Sequence, residues 1–251
     1  MIGIFGDSYA DINPSKMTDE DAGILPWPTH LYNLTGEKVI THGKTATSTY
    51  WSYKMFLKYH TSYDKIIFVY SEYNRWHTLK DQYERLAYLV DSERLDLLDP
   101  QFKEAGEALM RVKPFIFDEE FNRFIYQSIF DKVNKICKLK AKPLINIMPF
   151  ELNFKDTELP IDISEASGPC LTNLLEVSLT EAARSSILDN HIRTMPDLRH
   201  NHLNSHNTRV MADIVMDSFF TTEKLIRLAK DPRFQYDDAY IQHIVKYMEQ
   251  L

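Results

Sequence analysis

Four residues far apart in the chain share one chemistry. Ser8 stands in Gly6-Asp7-Ser8, directly after the apolar run Ile2 to Phe5, and Asp197, His200 and His202 stand in "MPDLRHNHLNSHNTRVMADIV" near the other end. A serine hydroxyl attacks a carbonyl when an imidazole takes its proton and a carboxylate fixes that imidazole's tautomer. Asp197 supplies the acid and His202 the base, with His200 as the alternate base. A second reading stays open at Ser8. Gly, Asp and Ser are all turn formers, and a serine after a strand also serves as a helix N-cap. His200, His202 and His206 admit a metal reading too, because His-x-His sets two imidazoles on one side of an extended segment. No acidic or cysteine partner at ligand spacing accompanies them, so no metal or cofactor is assigned.

A nucleophile so placed needs a strand to carry it and a helix behind it. Three short apolar runs read as buried strands: Ile2 to Phe5, Lys65 to Tyr70 ("KIIFVY") and Leu144 to Met148 ("LINIM"), with a weaker one at Glu37 to Thr41. The first two are almost continuously apolar, as parallel strands covered on both faces are. Helical patterns lie between and after them. One begins at Asp118, a suitable N-cap, and places Phe121, Phe124, Ile125, Ile129, Val133 and Ile136 on one face. Another follows Asn204 and Ser205, with Val210, Met211, Ile214, Val215 and Phe219 at helical spacing. The alternation predicts an α/β fold, a three-layer α/β/α sandwich around a flavodoxin-like parallel sheet. The whole chain, 1–251, reads as one domain with helical insertions at about 76–117 and 151–188.

Composition narrows the function. Of 251 residues, 44% are hydrophobic and 26% charged, as in an ordinary globular protein. The formal net charge of -7 argues against a phosphate-neutralising surface, so nucleic acid is not an expected partner. No stretch approaches the roughly 18 apolar residues of a membrane span, and the N-terminal apolar run stops at Gly6-Asp7, short of a signal peptide's core. A cytoplasmic protein with no membrane partner is expected. Cys137 and Cys170 lack metal-ligand spacing and read as small buried apolar side chains. Trp27, Tyr50, Trp51 and Trp76 fall in or beside the loops expected to form the site, where aromatic faces suit an acyl group or a sugar ring.

Four stretches together resemble the SGNH or GDSL esterases and acylhydrolases, in the family's order along nearly the whole chain. "IFGDSYAD" is similar to the family's first block, with Ser8 as nucleophile. "VITHGKTATST" is similar to the second, where Gly43 offers a backbone N–H, although Lys44 to Ser48 replace the glycine-rich continuation. "IIFVYSEYNRW" takes the place of the third, where Asn74 offers its amide; Ser71 and Arg75 stand where the family has Gly and Asp. "DLRHNHLNSHNTRVMADIV" resembles the last, which carries acid and base. Asp-x-x-His fits Asp197 and His200 by count, whereas the run into the final helix points to His202.

The resemblance implies an oxyanion hole of the Ser8 N–H, the Gly43 N–H and the Asn74 side chain. Asp7, Tyr9, Arg75 and Trp76 are the candidates for contact with the substrate. It also implies hydrolysis of an ester through an acyl-enzyme on Ser8, acting on a short acyl group of a carbohydrate or small molecule. In its Tyr- and Lys-rich style the chain is similar to the family's phage-encoded branch, for which host cytoplasm or virion would be the location. The sequence leaves the oligomeric state open. The alternative function is a family-like module without catalysis that binds a glycan or a protein. A nucleotide-binding role is disfavoured, because the first loop has no glycine-rich phosphate cradle and Asp7 would repel a phosphate.

Overall fold

The structure, a computed structural model, describes residues 1–12, 25–45, 47–71, 100–116, 118–148, 162–172, 205–228 and 231–234. Six strands form one sheet in which every pairing is parallel: β1 (Ile2–Gly6), β2 (Val39–Gly43), β3 (Lys65–Val69), β4 (Leu144–Met148), β5 (Cys170–Thr172) and β6 (Leu225–Arg227). Their spatial order is β2-β1-β3-β4-β5-β6. The helices are α1 (Trp27–Thr35), α2 (Thr49–Tyr59), α3 (Pro100–Ile116), α4 (Glu119–Leu139) and α5 (Ser205–Ser218). The chain is thus an α/β fold with a flavodoxin-like sheet. Among the described residues no helix is long and apolar enough to cross a membrane.

Strict alternation along the strands builds two cores. Ile2 and Ile4 of β1, Ile67 and Val69 of β3, Ile145 and Ile147 of β4 and Leu171 of β5 face the layer that holds Trp27 and Leu31 of α1 and Val210, Met211, Ile214 and Val215 of α5. Phe5, Ile66, Phe68, Leu144, Met148 and Cys170 face the other layer, with Phe56 of α2 and Tyr126, Phe130 and Val133 of α4. Both faces being covered explains why these strands read as continuous apolar runs. Asn146, wholly buried in β4, is the exception. It accepts a hydrogen bond from the Tyr70 hydroxyl (3.1 Å) and donates to Asn134 of α4 (3.3 Å), which also accepts from the Ser167 N–H (2.9 Å). A buried amide is tolerable when its partners are built around it. Both cysteines are free and buried, with thiols pushed up to about 12 by burial.

Local chemistry sets the helix ends. Asp118 caps α4 by accepting the Phe121 N–H at 2.9 Å, and Ser48 caps α2 by accepting that of Trp51 at 3.3 Å. Two sequence expectations are corrected here. The buried stripe of α4 runs through Asn122, Tyr126, Ile129, Phe130, Val133, Asn134 and Cys137, while Phe121 and Phe124 are 57% and 65% exposed. Two buried asparagines disguised the true face as a polar one. The stretch 151–188 is not solely an insertion, because Cys170–Thr172 within it adds strand β5 beside β4. Three residues are too few to show a period. In the other insertion, Pro100–Ile116 is the charged helix expected.

Candidate active site

The sheet order places a topological switch point at β1 and β3: the chain leaves β1 toward β2 on one side, then returns past it to build β3 and β4 on the other. Crevices at the carboxyl ends of such strands are where α/β folds bind ligands. Ser8 follows β1 at that crevice.

The turn that holds Ser8 assigns its polar groups separately. Asp7, fully buried, directs Oδ1 to the Tyr9 N–H at 3.1 Å, and its carbonyl accepts the Ala10 N–H at 3.0 Å. A capping Ser8 would accept the Ala10 or Asp11 N–H, two or three residues on, and the Asp7 carbonyl already takes the first of these. Among the described residues no hydrogen bond engages the Ser8 hydroxyl, and 8% of the residue's surface is exposed. Gly6 permits the fold-back, since a Cβ there would stand 2.6 Å from Cβ of Val69 and 2.9 Å from that of Ala10.

Neighbouring loops are bonded to this turn. The Trp27 indole N–H donates to the Tyr9 carbonyl at 2.8 Å, and Asp11 Oδ2 accepts from the Thr45 hydroxyl (2.9 Å) and N–H (3.3 Å). Gly43, at the end of β2, passes so close to the Ala10–Asp11 peptide that a Cβ would lie 2.3 Å from the Ala10 carbonyl carbon. Beyond it, Thr47, Ser48, Thr49 and Ser71 are all buried polar residues at the carboxyl end of the sheet. Ser71, just past β3, receives a hydrogen bond from Thr49 and returns one through its N–H, while its hydroxyl donates to the Thr47 carbonyl. Beside these loops, His42 of β2 stacks on Phe5 (5.0 Å between centroids) and on Tyr59 (4.4 Å) and shares a hydrogen bond of 2.6 Å with the Tyr63 hydroxyl. Burial holds its imidazole below the usual histidine range.

Gly43 is the register partner of Gly6, two residues before Ser8, and packs against the Ala10–Asp11 peptide two residues after it. Asp7 and Tyr9 are buried, the first bonded into the turn and the second packed beside Trp27 in the core, so their described contacts position the loop. Trp27 is likewise a core residue and an anchor for Tyr9, and its indole is no sugar platform. Trp51 is 7% exposed, with the Lys44 ammonium 5.7 Å from its ring centroid; Tyr50 packs against the α2/α4 core. Asn74, Arg75, Trp76, Asp197, His200 and His202 lie outside the described residues. His206, exposed on α5, donates through Nε2 to the Arg233 carbonyl at 3.0 Å. Among the described residues no group of three or more His, Cys, Asp or Glu side chains could hold a metal. Sequence reasoning missed the roles of Asp11, Thr45, Thr47 and Thr49 and noted Ser71 only as a departure from the family; the signal for the three threonines was an unusual density of Ser and Thr after β2. No family model matches the chain, and no curated protein matches it.

Proposed function

We propose that the protein is a serine ester hydrolase of the SGNH/GDSL type that removes a short acyl group, such as acetyl, from a carbohydrate or another small molecule. One observation carries the reading: the Asp7 carboxylate and carbonyl take the Tyr9 and Ala10 N–H groups of the turn, and among the described residues no hydrogen bond engages the Ser8 hydroxyl at the sheet's switch point. Ser8 Oγ attacks the ester carbonyl while His202, or His200 in the alternate register, accepts its proton, and Asp197 orients that imidazole and stabilises the imidazolium. The tetrahedral oxyanion is held by the Ser8 N–H, the Gly43 N–H and the Asn74 amide, donors aimed where charge develops. Collapse expels the alcohol, which takes the proton from the imidazolium, and leaves acyl-Ser8. Water, deprotonated by the same histidine, then releases the carboxylic acid and restores the serine. Arg75 and Trp76 are assigned to substrate contact, and the chemistry needs no cofactor.

The test is hydrolysis of p-nitrophenyl acetate by the protein and its Ser8→Ala, His202→Ala and His200→Ala variants, with mass-spectrometric mapping of a fluorophosphonate adduct. The expected result is turnover lost in Ser8→Ala and in one histidine variant, with the adduct on Ser8. A folded protein that neither turns over nor takes the label refutes the hydrolase and leaves the non-catalytic binding module, for which the Ser71 and Arg75 departures speak.

A further inference from the structure

We infer that Ser71 and Thr49 form a latch that positions the oxyanion side of the site, a role that rests on the hydrolase reading above. The third block carries Ser71 where the resembled family has glycine, and the replacement is structurally specific. Ser71 is wholly buried and uses three groups at once. Its N–H donates to Thr49 Oγ1 at 2.9 Å, its carbonyl accepts from the same hydroxyl at 3.2 Å, and its own Oγ donates to the Thr47 carbonyl at 2.9 Å. A glycine could make the first two bonds and not the third. The Thr49 hydroxyl acts as acceptor and donor toward one residue, which fixes distance and direction together.

The latch joins two chain segments that the proposed chemistry needs in register. Thr47 and Thr49 follow Gly43 by four and six residues, and Ser71 precedes Asn74 by three. Thr49 is also the first residue of α2, whose N-cap is Ser48, so the helix start is tied to the end of β3. The same loop is held to the Ser8 turn through Asp11 and Thr45. Hydrogen bonds thus tie the nucleophile's turn to the β2 loop at Thr45, and that loop, at Thr47 and Thr49, to Ser71, three residues before Asn74 in the sequence. Ser71 and Thr49 touch no reacting atom in this scheme; they are positioning residues.

The experiment compares Thr49→Val, Thr49→Ser and Ser71→Ala with the parent for p-nitrophenyl acetate kinetics and thermal unfolding. Thr49→Val keeps the shape and deletes both bonds of the hydroxyl, Thr49→Ser keeps the hydroxyl, and Ser71→Ala removes only the bond to Thr47. A misplacement of about 1 Å costs on the order of 10²-fold in rate. Thr49→Val is accordingly expected to lower kcat by about 10- to 100-fold with KM within about twofold, as for loss of an interaction made in the transition state. Thr49→Ser should restore kcat to within about threefold of the parent and Ser71→Ala should fall between them. Should Thr49→Val not fold, Ser71→Ala alone carries the test. A folded Thr49→Val or Ser71→Ala variant with parental kcat overturns the latch, as does equal loss in Thr49→Ser. A parent that neither turns over nor labels on Ser8 overturns the hydrolase reading and the latch with it.

Discussion

Adding one methyl group at Gly43 tests whether the backbone approach beside Ser8 is as tight as the structure makes it. In Gly43→Ala the new Cβ would meet the Ala10 carbonyl carbon at 2.3 Å, its oxygen at 2.4 Å and the Asp11 nitrogen at 2.4 Å. Real Cβ atoms essentially never come within 3.0 Å of such neighbours, so β2 or the turn after β1 must retreat by at least 0.7 Å, the gap between 2.3 and 3.0 Å. Nothing flexible is available to yield, because all three atoms are backbone. The peptide that would move is bonded on one side to Thr45 through Asp11 and follows Tyr9, which Trp27 anchors. Overpacking of this kind costs about 1–3 kcal/mol. At about 2–4 °C per kcal/mol for a chain of this size, Tm should fall by about 2–12 °C. The displaced peptide lies two residues from Ser8, so turnover of p-nitrophenyl acetate should drop on the order of 10²-fold, the usual consequence of a shift near 1 Å. The Gly43 N–H survives the substitution, which separates displacement from loss of a donor. A Gly43→Ala protein with parental Tm and parental turnover would refute both the close approach and its bearing on Ser8.

Asp7→Ala removes the buried acceptor of the Tyr9 N–H and should cost about 1–3 kcal/mol, read as a lower Tm in calorimetry, whereas Asp7→Asn keeps an acceptor oxygen and should lose less. Equal Tm loss in both would show that the carboxylate's charge, and not its hydrogen bond, holds the turn. Stability should also depend on pH through His42. Burial depresses its pKa in the folded chain, and at His30 burial and then the Arg209 guanidinium do the same. The unfolded chain, with histidine near 6.5, therefore takes up the proton first; their contribution is complete above about pH 6.5 and is lost as pH falls through the folded values. Tm should decrease from about pH 7.5 to about pH 5, and decrease less in His42→Gln; an identical slope in that variant would exclude His42 as a source.

What the sequence displays and what it conceals divide along a physical line. Strands β1, β3 and β4 are legible because each is buried on both faces, and "LINIM" coincides with β4 residue for residue. Strands β5 and β6, "CLT" and "LIR", are too short to carry any pattern and are recognisable only through their pairing with β4 and with each other. The cap of α4 is local and was readable from Asp118; its buried face was not, because the buried Asn134 finds its partners in Asn146, on a strand twelve residues away, and in Ser167. The site follows the same rule. The Gly6-Asp7-Ser8 turn is legible because it follows an apolar strand, while Asp11–Thr45, Trp27–Tyr9 and Ser71–Thr49 join residues 18 to 34 positions apart and leave no local periodicity.

The distribution of buried polar groups bears on function independently of any motif. Burying a hydroxyl is unfavourable unless it is hydrogen-bonded, and apolar side chains would hold two loops together at least as strongly. What they would not do is fix direction, since dispersion and hydrophobic burial are insensitive to angle whereas a hydrogen bond weakens steeply as it bends. At the opposite end of the sheet, the amino terminus and Lys65 are joined to Glu37, and the amino terminus also to Asp64, by ion pairs whose members are partly or largely exposed. Such pairs contribute little and define no geometry closely. Asp7, Thr47, Ser48, Thr49 and Ser71 are instead gathered, buried, at the carboxyl end around the β1 and β3 switch point. Directional hydrogen bonds thus order the loops at the end of the sheet where α/β folds meet their ligands, just as the Asn134–Asn146 pair orders α4 on β4.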